Sequence, residues 1–298
     1  MNSIYSKKWS LFQIVMLIVC IAALAITLVP ILNILALSFS GKNAIAKGIV
    51  GIWPVEFTLD AYKNVFGNGS IIYSMFYSLA LTLVVGFSTT FLTILAAYPL
   101  SKLNLKGNHF FMTLITITMY ISAGTVPGYL LVKNLGLINT IWALILPGMI
   151  SPFQLIILRT FFMGINKSLF EAAYMDGCGE WGCLFKIAVP LSKPSIATIT
   201  LFSCVSRWNG VTDVLYYIDN PKLYTLQYQL KLLLDSFHIE YTPEEMADMT
   251  IAAENVKSAT IIFSMIPILI VYPFVQKHFT KGVNIGGVKE KLFVTRKL

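Results

Sequence analysis

Between Phe170 and Pro190 the chain reads FEAAYMDGCGEWGCLFKIAVP, setting acids, glycines and a lysine into a protein where charge is otherwise sparse. A second group is Arg207, Trp208 and Asn209, with Asp213 one turn beyond Asn209. An aromatic face and an amide are what a neutral sugar needs, so these residues could line a sugar path. They could equally be structural, Arg207 holding a neighbouring helix while Asn209 and Asp213 frame a helix end. Other chemistry is missing: there is no Gly-x-x-x-x-Gly-Lys-Ser/Thr phosphate loop, no serine nucleophile elbow and no kinase set. His109, His238 and His278 lack metal-ligand spacing. An enzyme is not expected, nor a cofactor or metal bound by this chain.

The elements that carry these residues are set by composition. Of 298 residues, 56% are hydrophobic and 12% charged, and the mean hydropathy of +0.74 lies outside the range of soluble domains. Charge-free runs separate Lys8 from Lys42, Lys63 from Lys102, Lys106 from Lys133, Lys133 from Arg159, and Lys257 from Lys277. Each is long enough to cross about 30 Å of hydrocarbon as a helix. The segment from Pro194 to Ile218 forms another span, although Arg207 and Asp213 interrupt it. An ionisable group inside a span is costly and faces a cavity or a partner. The prediction is six spans, at about 11–38, 72–100, 109–132, 137–161, 194–218 and 257–278, in a single membrane domain over 1–298.

The apolar run from Leu11 to Leu37 is too long for a signal-peptide core, so a retained anchor and a mature protein starting near Met1 are expected. Most of the 22 lysines and arginines fall on the side shared by Lys7, Lys102, Lys106, Arg159, Lys167, Lys186 and the C-terminal tail, which puts both termini in the cytoplasm. The net charge of +8 then reports topology and attraction to anionic lipid in the bilayer, with no nucleic acid implied. Cys20 and Cys204 fall in spans and Cys178 and Cys183 in a reducing loop, so all four are expected to be free thiols.

The loop 164–193 lies in the cytoplasm on this topology. Ser168 with Glu171 fits a capping box, Leu169 to Asp176 is helical, and Gly177 sits at a helix stop. A second helix from about Glu180 should end at Pro190, and Pro194 suits the first turn of the next span. The small pair Ala172 and Ala173 and the aromatic pair Phe170 and Tyr174 give a docking face. Trp181 and Phe185, four apart, fit packing better than a binding site. The outer loop 219–254 is too long for a simple turn; "PKLYTLQYQLKLLLD" has helical spacing and "YTPEEMAD" is acidic. Gly124 and Gly128 form a small-xxx-small pair that Pro127 can turn into a kink.

Glu171, Ala172, Ala173, Gly177, Ile187 and Pro190 also match a spaced signature: Glu-Ala-Ala, three residues, Gly, nine residues, then Ile-x-Leu-Pro, with Val189 in place of the leucine. In this the chain resembles permease subunits of binding-protein-dependent ABC importers. The segments "LRTFF" at Leu158, "MDG" at Met175, including Asp176, "PLSKP" at Pro190, "RWN" at Arg207 and "GGVKE" at Gly286 are similar to carbohydrate importers of the maltose and oligosaccharide class, second permease type. The nearest look is to complex-glycan permeases of Gram-positive bacteria. Two departures stand out, Asn166 where that group often has proline and Glu290 where it often has glycine.

The resemblance implies an all-α membrane protein with six transmembrane helices and a cytoplasmic coupling-helix loop between spans four and five, in a bacterial plasma membrane. It implies a second permease as heterodimer partner, two ABC ATPase subunits that hold ATP and Mg, an extracellular solute-binding protein and an oligosaccharide substrate. Glu171 would meet a basic residue of the ATPase, and the outer loop would contact the binding protein. The competing reading is a proton-coupled secondary transporter. It would need carboxylates within the spans, and Asp213 is the remaining candidate. An importer of a non-sugar solute is the third.

Overall fold

The computed structural model describes residues 10–235 and 255–273, and every regular element in them is a helix. In chain order these are α1 (Leu11–Ser38), α2 (Lys42–Ala46), α3 (Asp60–Gly67), α4 (Gly69–Ser101), α5 (Asn108–Tyr120), α6 (Thr125–Asn134), α7 (Trp142–Ile145), α8 (Pro152–Met163), α9 (Lys167–Met175), α10 (Glu180–Cys183), α11 (Val189–Leu191), α12 (Lys193–Trp208), α13 (Thr212–Tyr217), α14 (Leu226–Asp235) and α15 (Asn255–Pro273). By length and composition α1, α4 and α15 can each cross a membrane; the number becomes six when each of three bent pairs counts as one span.

The bends are where the structure departs from uninterrupted spans. The predicted span 109–132 divides into α5 and α6, which meet at 115°. The break lies at residues 121–124, where Gly124 adopts φ +85°, and not at Pro127. Glycine takes that conformation without strain, and Pro127 sits in the first turn of α6, where its missing N–H costs nothing. A β-carbon at Gly124 would meet no atom within 4 Å and one at Gly128 only the Tyr217 hydroxyl of α13, at 4.0 Å, so no close helix approach among the described residues requires either glycine. The segment 137–161 bends by 49° between Trp142–Gly148 and α8. The third bent pair is not the predicted segment 194–218: it joins Glu180–Leu191 to α12 at 82°, and α13 is a separate helix because the chain turns at Asn209 to Val211. The predicted end of the last span, to 278, runs past the described residues.

Two compact units make up the described chain. One holds residues 10–72 with 232–235 and 255–265. Its α1 leaves nearly every side chain from Leu11 to Leu32 exposed, as suits a helix with an apolar solvent. Beyond α1 the chain is pinned by Asn33, which donates to the Gly51 carbonyl at 2.8 Å, and by Ser38 against Tyr62 at 2.9 Å. Phe39 packs on Phe57 and Tyr62 there, with ring centroids 5.5 and 4.9 Å away.

The other unit holds residues 73–231 with 266–273. One of its two cores gathers Ile94, Ala97 and Tyr98 of α4, Leu158 and Phe162 of α8, Cys183, Leu184 and Ile199. The second gathers Leu81 and Val85 with Ala143, Leu144, Ile145, Val214 and Tyr228. Helices α4 and α12 approach closely at Gly86, where a β-carbon would stand 2.2 Å from Cys204 Sγ. Hydroxyl pairs fasten the same helices: Thr90 donates to Thr200 at 2.9 Å, and Ser203 of α12 donates to Gln154 of α8 at 2.8 Å. Cys20, Cys178, Cys183 and Cys204 are all free.

Candidate functional site

The loop 164–193 folds as two helical pieces around one glycine turn. Asn166, and not Ser168, caps α9: its side chain accepts the Ser168 N–H at 3.1 Å. The expected capping box between Ser168 and Glu171 is therefore not formed, and Glu171 is left free of a local role at the helix start. The helix ends as expected. Cys178 N–H reaches the Ala173 carbonyl at 2.9 Å and Gly177 N–H the Tyr174 carbonyl at 3.0 Å, a Schellman pairing that needs Gly177 at its φ of +77°.

The second piece runs through Pro190. Residues Leu184 to Ala188 form a π turn between α10 and α11, and Pro190 lies in the first turn of α11. A widened turn shifts the hydrogen bonding by one residue, so proline enters where no donor is required. Pro194 occupies the first turn of α12, as expected.

The faces of α9 divide differently from the reading based on residue type. Phe170 and Ala173 pack inward against the core of α4 and α8, and Tyr174 turns toward α10. The aromatic pair is thus spent on the chain's own packing. Glu171, Ala172, Met175 and Asp176 remain exposed, Met175 at 89%. Ile187 is half-buried against the same core, and Pro190 is exposed. Trp181 and Phe185 stack on each other, 6.2 Å apart and 10° from parallel, yet both stay on the surface.

A polar cluster that sequence reasoning missed holds α9 and α10 to the end of α4. Lys102, just past α4, donates to both the Tyr174 hydroxyl and Glu180 Oε2. Glu180 also accepts from Tyr98 at 3.1 Å and from Tyr174 at 2.9 Å. The Lys102 ammonium lies over the rings of Tyr98, Tyr174 and Phe170, at 4.8, 5.1 and 5.9 Å. Burial works against the charge on Lys102, but hydrogen bonds to Glu180, Tyr174 and Tyr98 outweigh it and hold its pKa above the usual lysine range. For Glu180, burial likewise opposes the charge, and the bonds from Lys102, Tyr174 and Tyr98 keep the carboxyl below its ordinary value.

The platform beneath this cluster is also tied off. Asn108 donates to the carbonyls of Leu100 and Lys102 at 2.8 and 3.0 Å, and Arg159 Nε donates to the Leu100 carbonyl at 2.7 Å. The Leu100 carbonyl in the last turn of α4 and the Lys102 carbonyl just beyond it are thereby satisfied. The only sequence hint of Lys102 was its position at the end of a charge-free run.

Arg207 is almost wholly buried. Its two terminal nitrogens grip the Asp213 carboxylate, with the Arg207 Nη2 to Asp213 Oδ1 distance 3.1 Å, and donate to the Leu144 and Gly210 carbonyls at 3.3 Å each. The structural alternative is the one its geometry favours, since it locks α12 to α13 and α7. A cavity of 690 Å³ opens beside the pair, lined by Arg207, Asn209 and Asp213 together with Thr89, Gln154 and Tyr216. Trp208 is buried and does not line it; the aromatic surface comes from Tyr216 and Tyr217. The three consecutive residues thus separate, because neighbours on a helix point about 100° apart.

These features define a class: an all-helical membrane protein with a braced polar loop between helices and a polar cavity, and no group of residues among those described that could hold a metal. Residues 89–285 match the family described as "binding-protein-dependent transport system inner membrane component". The chain belongs to that family and is a permease subunit of the ABC transporter type. It is 42% identical over 266 residues to protein LplC of Bacillus subtilis, covering 89% of this chain and 90% of that one. It is 39% identical to the polygalacturonan/rhamnogalacturonan transport system permease protein YtcP of Bacillus subtilis, covering 89% and 93%. Among solved structures it is similar, with a TM-score of 0.84 and 31% identity, to a bacterial ABC transporter involved in the import of the acidic polysaccharide alginate, covering 93% of this chain and 100% of that one.

Proposed function

We propose that this chain is the membrane-spanning permease subunit of an ATP-driven oligosaccharide importer, crossing the bilayer six times with both termini in the cytoplasm. The proposal includes a partner permease, two ATPase subunits that bind ATP and Mg, and an extracellular solute-binding protein. Helix α9 is its docking element for one ATPase. One observation carries this reading: Glu171, Ala172, Met175 and Asp176 form an exposed face on a helix whose opposite face is anchored to α4 and α8. Similarity to a permease named for polygalacturonan/rhamnogalacturonan transport and to an ABC transporter involved in the import of the acidic polysaccharide alginate supports the substrate class.

The braced geometry supplies a mechanism. When the ATPases close, a load on Glu171 and Asp176 passes through Phe170 and Ala173 into the core, and through Tyr174 and Glu180 to Lys102 at the end of α4. A loose loop would absorb that load; a hydrogen-bonded one moves its span with it. The pairing of Asp213 with a buried guanidinium supports a structural role for it over a proton-carrying one.

The test is purification from detergent-solubilised membranes, identification of co-purifying chains, and ATP hydrolysis with and without sugar-loaded binding protein. Glu171→Ala should lower sugar-stimulated hydrolysis and transport while the binding protein keeps its affinity for sugar. Normal transport by that variant would refute the docking role of α9.

A further inference from the structure

We propose that the outward face of residues 180–191 is a lipid-docking surface, seated on the anionic headgroups of the cytoplasmic leaflet. This rests on the cytoplasmic placement of the loop 164–193 proposed above and adds a second partner to that loop. The segment from Glu180 to Leu191 meets α12 at 82°. With α12 crossing the bilayer, the segment lies nearly flat along the membrane surface.

Its depth is set at both ends. Glu180 is bonded to Lys102, the first residue beyond the end of α4. Leu191 stands two residues before Lys193, where α12 begins. Both are points at which a span gives way to loop, so the segment runs along the boundary between hydrocarbon and water. Cys183, Leu184 and Ala188 turn into the core of α4 and α8. On the other side Trp181, at 66%, is exposed together with Phe185 and Leu191. The stacked rings of Trp181 and Phe185 form one flat apolar patch. Tryptophan is enriched at bilayer interfaces, and a segment with one apolar face and basic flanks lies in the interface plane.

Charge decides between lipid and protein as the occupant. Lys186 and Lys193 are exposed beside the patch, and neither side chain has a hydrogen-bond or ion-pair partner among the described residues. Glu180, the one acid of the segment, is already taken up by Lys102, Tyr98 and Tyr174. The face is therefore apolar and positive, the complement of an anionic leaflet, with lysine stems along the hydrocarbon and ammonium groups at the headgroups. The exposed face of α9 has the opposite sign, carrying Glu171 and Asp176, and suits a basic protein. The loop thus separates its two partners by charge.

The experiment uses the transporter assembled with its partner subunits in nanodiscs of equal phosphatidylglycerol and phosphatidylcholine. The photoreactive residue p-benzoylphenylalanine replaces Phe185 in one preparation and Met175 in another. Mass spectrometry identifies what each captures on irradiation. The expected result at Phe185 is lipid adducts, with phosphatidylglycerol exceeding phosphatidylcholine roughly fivefold, the factor that one lysine near an anionic surface supplies. Lys186→Gln combined with Lys193→Gln should remove that excess.

Capture of an ATPase or second-permease peptide at Phe185 overturns the proposal, as does capture of no lipid or equal capture of the two lipids. The Phe185 comparison decides alone if the lysine variant fails to assemble. Met175 on α9 keeps this inference distinguishable from the docking reading. An ATPase peptide at Met175 with no lipid at Phe185 removes this inference and leaves docking standing; anionic lipid at Phe185 with no ATPase peptide at Met175 does the reverse.

Discussion

Replacing Gly177 isolates the energy of a single backbone conformation. The residue has φ +77°, and a β-carbon built there meets no heavy atom within 4 Å. Steric overlap therefore contributes nothing, and the cost of Gly177→Ala is that of holding an L-residue in the left-handed region, about 1–2 kcal/mol. Gly177→Asn should cost less, since its short polar side chain tolerates this region, and β-branched Gly177→Val should cost more. The Schellman amides of Gly177 and Cys178 report the effect, because they exchange only when the cap opens. A loss of about 1–2 kcal/mol raises the open population roughly 5- to 30-fold. Hydrogen exchange read by mass spectrometry on peptides covering this turn should show that acceleration for Gly177→Ala. It should show little for Gly177→Asn. Unchanged exchange in Gly177→Ala, or equal damage from Ala and Asn, would refute the argument from φ.

Gly86 gives the opposite case: Gly86→Ala should impair packing of α4 on α12 by overlap with Cys204 Sγ, and Cys204→Ala should rescue it, since the β-carbon of Cys204 stands at an ordinary 3.6 Å; thermal unfolding in detergent checks both. Lys102→Met should loosen α9 and α10 and reduce coupling of ATP hydrolysis to transport more than it reduces sugar-independent hydrolysis, measured in proteoliposomes. The same cluster predicts a pH dependence. Because the Glu180 carboxyl is held below its ordinary 4.5, its stabilisation is fully present above that value and is lost as pH falls through the lower folded value, seen as faster acid-side exchange of the α9–α10 turn that Glu180→Gln abolishes. Arg207→Leu should destabilise the unit by about 3–5 kcal/mol by leaving Asp213 unpaired, while the double variant with Asp213→Asn should recover much of the loss in a denaturation series.

What could be read from residue order was whatever neighbours in sequence enforce. The long apolar runs specified membrane helices, and α1 and α4 appear within a few residues of the expected bounds. Gly177 was legible as a helix stop because its neighbours on α9 supply the carbonyls that the turn requires. Ser168 misled because Asn166, two residues earlier, offers a better-placed acceptor to the same backbone. The break in α5–α6 was hidden because residues 121–124 carry the apolar or small side chains that a continuous span would, whereas the break in α12–α13 carried a legible turn signal in Asn209 and Gly210.

The sequence by itself determined that this is a helical membrane protein and that a polar segment separates its apolar runs, while the spaced Glu-Ala-Ala signature was legible through a family resemblance. Those properties follow from the hydrophobic effect, helix propensity and turns, which act over a few residues. Only the tertiary structure decided which charges meet. Lys102 finds Glu180 across 78 positions, Arg207 is neutralised by Asp213 against the Leu144 carbonyl, and Phe170 turns into the core while Glu171 turns out. Such pairings depend on how whole helices pack and break, and no local pattern in the chain fixes that arrangement.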